Sequence, residues 1–333
     1  MADFFAVPDG SNFAQVSKAA GELRRHLGRD MPVSELDFHE VSGLGVPFPV
    51  APVLIQKPAT LQLKSGLSMP LLVFAVSGKR RPSVTDLAEL LRMGVRHLQV
   101  SPSVVQAVGQ AVRLSQVPRS ELFISMLWEP PLDTSAKLDS LTEQLGFVDL
   151  MILPQTPELE SVWKHLERLK ARKRFKALGV KDFRPEEVEF LPGNGESVEY
   201  AQCAFTPYRH GPRRDTWRRF GQREVALAAT GLFTDWPRPL PPLLDPHVLI
   251  IARRFKRSAA QVLIRWALQL GLAVVFHSQR KQHVAENLAA LDFELPMREM
   301  QLISGLATLA EPVPPGDGFA HPYEQLRTPK GEL

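Results

Sequence analysis

The stretch LLVFAVSGKRRPSVTDLAELLRMGVRHLQV, residues 71–100, decides the fold. It opens on an unbroken apolar run, residues 71–76, which reads as a strand covered on both faces. Ser83 follows as a helix N-cap, and Val84, Leu87, Leu90 and Leu91 recur behind it at helical spacing, predicting a helix to Arg92. A second short strand falls on residues 97–100. Strand, helix and strand within about thirty residues make one βαβ unit.

The same alternation continues outward. Further strands are expected at 121–128, 147–153, 175–180, 199–205, 225–229 and 272–276. Helices are expected at 103–114, 135–145, from Pro157 in a first turn to about 172, 185–191, 213–221, 246–255, 258–270 and 281–291, with a terminal helix at 299–306. The strands are apolar along their length rather than alternating, as in parallel sheets with both faces covered. Eight strand–helix units point to an α/β fold, a (β/α)8 TIM barrel. A doubly wound open sheet is the alternative, and the absence of G-x-G-x-x-G after the first strand weighs against it. Before the barrel, residues 60–70 read as a hairpin turning at Ser65-Gly66. The expected organisation is an N-terminal extension over 1–59 with one amphipathic helix, a barrel over 60–310, and an irregular proline- and glycine-rich tail over 311–333.

Composition narrows the setting. With 333 residues and 44% hydrophobic content the chain can bury a sizeable core. Its single cysteine, Cys203, excludes an intramolecular disulfide framework and points to a reducing, intracellular compartment, with the cytoplasm favoured. No run reaches the roughly 18 apolar residues of a membrane span. The first residues lack the basic start of a signal peptide, while the amphipathic stretch 13–27 leaves organelle import open. Net charge is +4, and it is localised. Arg209, Arg213, Arg214, Arg218, Arg219 and Arg223 stand against Asp215 alone within residues 209–223. That segment is a solvated helix face in the plain reading, and a contact for an acidic protein, lipid headgroup or RNA in the functional one.

The opening hairpin LKSGLSMPLL at 63–72 is followed by GVRHL at 94–98, VPRSELFI at 117–124, ALGV at 177–180, AAQVLIRWAL at 259–268, AENL at 285–288 and DFEL at 292–295. In that order these strings resemble the aldo-keto reductase family. Each is weak alone, but together, in order, they cover about three quarters of the chain. The resemblance implies a TIM barrel with its site at the C-terminal strand ends. It also implies NADP(H) as hydride donor and an Asp, Tyr, Lys and His that deliver a proton to a carbonyl. Carried over residue by residue, those four positions fall on Gln99, Val104, Met126 and Pro154. None supplies a proton or a charge, and a missing general acid costs about 10²–10⁴ in rate. Trp128, Trp163 and Trp266 match core positions of the family.

The same resemblance makes the cofactor loop partly intact. Gln202 keeps the residue that holds a carboxamide, while Lys181-Asp182 replaces a Ser-Asn pair and Ala229 replaces a stacking tyrosine. At the last strand the cationic positions fall on His277 and His283, and Ser278, Glu286 and Asn287 match. Imidazoles are poorer phosphate partners than lysine or arginine. Gln202 and Cys203 also admit a plain packing role inside the barrel. His277 and His283, six apart, do not suit a helical metal pair, and no metal is expected.

The reading that follows is an aldo-keto-reductase-like pseudoenzyme: a non-catalytic binding, regulatory or structural subunit with no cofactor. Its protein partners would dock on the N-terminal extension or the 209–223 segment, with nucleic acid disfavoured. Two alternatives stand beside it. One is an NADPH-dependent carbonyl reductase with chemistry relocated to Lys181, Asp182, Tyr208 or His277. The other is an NADP(H)-binding sensor.

Overall fold

A computed structural model of the protein describes residues 59–78, 81–129, 135–208, 219–234 and 241–307. The amphipathic stretch 13–27, the tail 311–333, residues 209–218 of the basic segment and residues 236–240 of the 236–246 loop lie outside the described residues.

The chain enters through a hairpin of β1 (Thr60–Gln62) and β2 (Ser68–Pro70), paired antiparallel. Gly66 takes φ 80° at the turn, a left-handed conformation that glycine adopts without strain. Eight parallel strands then close on themselves: β3 (Leu72–Val76), β4 (His97–Val100), β5 (Phe123–Leu127), β6 (Val148–Pro154), β7 (Phe175–Lys181), β8 (Val198–Ala204), β9 (Ala226–Thr230) and β10 (Ala273–Phe276). β10 pairs with both β9 and β3, so the sheet has no open edge and the doubly wound alternative is excluded. The protein is a (β/α)8 TIM barrel.

The outer layer is α1 (Val84–Arg92), α2 (Val105–Ser115), α3 (Ser135–Leu145), α4 (Leu159–Ala171), α5 (Pro185–Glu189), α6 (Pro246–Phe255), α7 (Ala259–Gln269), α8 (Lys281–Leu288) and α9 (Met297–Gly305). Ser83 caps α1 as expected, accepting from the Asp86 backbone N–H. A capping box of Ser258 and Gln261 starts α7, and every residue of that helix is buried. Its Trp266 stacks on Phe205 with ring centroids 5.1 Å apart and donates Nε1–H to Ser304. Trp163, likewise, is fully buried.

Element ends shift from the sequence reading by one or two residues in several places, and three of the shifts have a local cause. Pro157 precedes α4 rather than lying in its first turn, because Glu158, at φ −96° and ψ 38°, is the non-helical cap. Pro102 opens a 3-10 turn, Pro102–Val104, before α2 begins. The eighth helix tightens after Leu288 into a 3-10 turn, Ala289–Leu291.

Register fixes which side chains fill the barrel. Gln99 lies beside Ser125, Ser125 beside Leu150, and Leu150 beside Ala177. Lys181, four residues further along β7, pairs with Gln202. Pleat alternation therefore turns Gln99, Leu127, Lys181 and Gln202 to the interior, and Met126 and Trp128 to the helices. Trp128 accordingly lies 6.0 Å from the His165 ring of α4. Gly179 leaves room for its neighbour: a Cβ there would stand 2.8 Å from Tyr200 Cδ1 and 2.9 Å from the Tyr200 carbonyl oxygen. No described helix is long and apolar enough to cross a membrane.

Candidate functional site

The barrel floor is set by the hairpin. Ser65 N–H donates to Glu199 at 2.8 Å, and Glu199 also binds Lys170 Nζ at 2.6 Å. His97, at the first residue of β4, lies 3.2 Å through Nδ1 from the Pro70 carbonyl and 2.9 Å through Nε2 from Ser125 Oγ. A carbonyl only accepts, so Nδ1 carries the proton and the Ser125 hydroxyl donates to Nε2. Burial pushes the His97 pKa down to about 4, against the opposing pull of the Pro70 hydrogen bond and the Asp149 charge. His97 is therefore a neutral structural group beneath the mouth of the barrel.

Above it, the C-terminal ends of β3, β4 and β5 frame a cleft of about 320 Å³. Its lining is Ala75, Val76, Ser77, Gly78, Gln99, Ser101, Ser103, Leu127 and Glu129. Gln99 is 5% exposed, and its Oε1 has no hydrogen-bond partner. Leaving such an oxygen buried and unpaired costs about 1–3 kcal/mol. Ser101 and Ser103 share a hydrogen bond of 2.9 Å between their hydroxyls.

The other three positions carried over from the family do not line the cleft. Val104 is buried at the end of its 3-10 turn. Met126 faces the helical layer, and Leu127 takes the cleft position, so the lysine position read from sequence belongs one residue off the interior face. Pro154 ends β6 beside Lys181.

A second polar group sits across the barrel. Gln202 is 1% exposed; its Oε1 accepts from the Tyr200 hydroxyl at 3.0 Å, and its Nε2 has no partner. Burial pushes the Tyr200 phenol well above its ordinary value. Lys181 Nζ lies 3.6 Å from Asp182 Oδ2, and Asp182 holds the left-handed φ of 61° at the strand end while donating N–H to the Gln202 carbonyl. Cys203 is buried, and Ala229 pairs with it; Ala228, not Ala229, shares the face of Gln202. The position read as a stacking site is thus turned away from the interior.

The third group lies where β10 meets α8. His277 is exposed and His283 half-buried. The Ser278 hydroxyl accepts from Arg280 N–H at 3.1 Å and donates to the Arg280 carbonyl. The backbone carbonyl of Glu286 accepts from Gln261 Nε2, and Asn287 is buried. Lys281 reaches Glu89 at 2.6 Å and Asp86 at 3.1 Å, which raises its pKa chiefly through those hydrogen bonds.

Tyr208 is 3% exposed and donates to Asp245 Oδ2 at 2.9 Å, so its hydroxyl is already engaged. Asp245 also caps α6, accepting from His247 N–H at 2.9 Å and from His247 Nδ1 at 3.0 Å. Burial pushes the Asp245 carboxyl up, but the bonds and charge of His247 and the Tyr208 hydroxyl outweigh it and leave the pKa lowered. Among the described residues no group of three or more His, Cys, Asp or Glu side chains is placed to hold a metal ion.

Sequence reasoning found Gln99 and missed Ser77, Ser101, Ser103 and Glu129. The available signal was period two: 97, 99 and 101 fall on one side of β4 and its extension.

No family model matches the chain. It is 31% identical over 213 residues to an aldo-keto reductase of Mycolicibacterium smegmatis, covering 60% of this chain and 72% of that protein. It is 28% identical over 266 residues to a glyoxal reductase of Bacillus subtilis, covering 74% of this chain and 92% of that one. The crystal structure of an aldo/keto reductase from Brucella melitensis superposes with a TM-score of 0.66 at 24% identity, over 74% of this chain and 98% of that one.

Proposed function

The chain belongs to the aldo-keto reductase family, and from that premise we propose that it is a binding member of the family that does not reduce carbonyls. The observation that carries this reading is the lining of the cleft. Around Gln99 stand serine hydroxyls and aliphatic walls, with Glu129 exposed; no Tyr, Lys or His lines the cleft among the described residues. Amides, serine hydroxyls and leucine do not give up a proton at neutral pH, so the general-acid step has no donor within reach.

The family implies NADP(H), and the residues present fit it poorly. Gln202 Nε2 is a buried donor without a partner, which a carboxamide oxygen would suit. The rest of the set argues the other way. Ser278 is turned onto Arg280, imidazoles of His277 and His283 stand where the family carries cations, and the Asp182 carboxylate stands beside Lys181. On this reading the 60–310 barrel is a scaffold, and the 1–59 extension and the 209–223 arginines are the docking elements for a protein partner.

Two measurements on the full chain test it. NADPH consumption with a panel of aldehydes, glyoxal included, should stay at the buffer rate; a protein-dependent rate refutes the proposal in favour of a reductase. Titration of tryptophan fluorescence with NADPH should be flat. Saturable quenching without turnover would select the sensor reading, which the orphaned Gln202 Nε2 favours.

A further inference from the structure

The cleft over β3, β4 and β5 has a chemistry of its own. Its inner wall carries a primary amide, Gln99, nine-tenths or more buried, with Oε1 unpartnered. An amide offers a carbonyl and an NH2 side by side, and rotation about its last torsion exchanges them. The partner that satisfies both ends at once is a second amide, whose N–H meets the carbonyl and whose oxygen meets the NH2. Ser101 and Ser103, joined at 2.9 Å, add hydroxyls, and Gly78 keeps them accessible: a Cβ there would stand 3.1 Å from Ser103 Oγ. Glu129, exposed, supplies the one carboxylate of the described lining, and no described lining residue is cationic. A carboxylate there favours an ammonium and repels an anion.

We propose that this cleft binds a small ligand carrying a carboxamide and an amino group, the carboxamide pairing with Gln99 and the ammonium with Glu129. The volume, about 320 Å³, lies at the small end of ligand pockets, which run from about 300 to 1,000 Å³. The inference rests on the binding reading above and specifies its ligand.

Ligand-observed NMR on the full chain tests it, with β-alaninamide, propionamide and propionate as probes. Both amides should give saturable signals, β-alaninamide the tighter, and propionate none. Gln99→Leu should weaken both amides about tenfold, the scale of a buried hydrogen-bonding group lost. Ser77→Trp, at an exposed position of the lining, should block both without touching the core. Glu129→Gln should weaken β-alaninamide and spare propionamide. Equal binding of propionate, silence from both amides, or amide binding unchanged in Gln99→Leu and Ser77→Trp overturns the proposal. Aldehyde turnover would refute the binding reading whatever the amides do, while silent amides without turnover would refute this inference alone.

Discussion

Replacing His97 with glutamine should flatten the acid side of the protein's stability profile. His97 is fully buried, and its pKa falls from 6.5 to about 4 on folding, first because burial penalises the imidazolium. Between those two values the unfolded chain binds a proton at this site that the folded chain does not. Stability from His97 is therefore complete above pH 6.5 and declines as pH falls toward 4. One pKa unit is worth about 1.36 kcal/mol, so the full loss is roughly 3 kcal/mol, with about 2 kcal/mol already gone at pH 5. The assay is urea unfolding of wild type and His97→Gln at pH 7.5, 6, 5 and 4.5. The variant starts less stable, since Ser125 and the Pro70 carbonyl lose a partner. Its pH slope is the readout, because other titrating groups are common to both proteins. Wild type should lose about 2 kcal/mol more than the variant between pH 7.5 and 5. Parallel slopes would show that His97 titrates normally in the folded state, and would refute the neutral Pro70–His97–Ser125 chain.

Other perturbations probe the scaffold that holds the site. Gly179→Ala drives a Cβ to within 2.9 Å of the Tyr200 carbonyl oxygen, which cannot swing aside, so chemical denaturation should show a loss of about 1–3 kcal/mol. In the network at the start of α6, Tyr208→Phe removes one hydrogen bond and should cost about 1 kcal/mol. Asp245→Ala removes that bond, the helix cap and the partner of His247 together, and should cost about 3 kcal/mol. Equal losses from the two variants would mean that Asp245 does not organise the group.

The barrel was legible because its signal is repeated. Eight apolar runs separated by amphipathic helices survive an error in any one of them, and the capping serines Ser83 and Ser258 mark helix starts locally. Boundaries failed where proline acts at a distance of one or two residues, as at Pro157, whose position relative to the cap depends on the φ/ψ of Glu158. The arginine cluster at 209–223 was visible in composition alone, because six arginines against one aspartate need no geometry to be seen.

The site was legible only by residue type, because its geometry depends on strand phase. A strand reverses its facing at every residue, so an alignment correct to within one position names the right strand and the wrong face. Residues 97, 99 and 101 share a side of β4 and its extension, and Gln99 lines the cleft. Met126 and Ala229 were assigned by matching strings, and both face away, with Leu127 and Ala228 in the interior positions. This shift changes what their identity means. A methionine packed under helices says nothing about a lost lysine. The residue to weigh is Leu127, apolar and on the cleft wall. Of the cleft positions, Gln99 and Leu127 are the two that bear on proton delivery, and neither side chain is an acid. Replacing these two residues with aspartate and lysine tests whether the scaffold alone withholds reduction. Under the proposed binding role the double variant should gain no NADPH-dependent rate, since no tyrosine lines the cleft among the described residues to give the proton; a rate above buffer would refute that role.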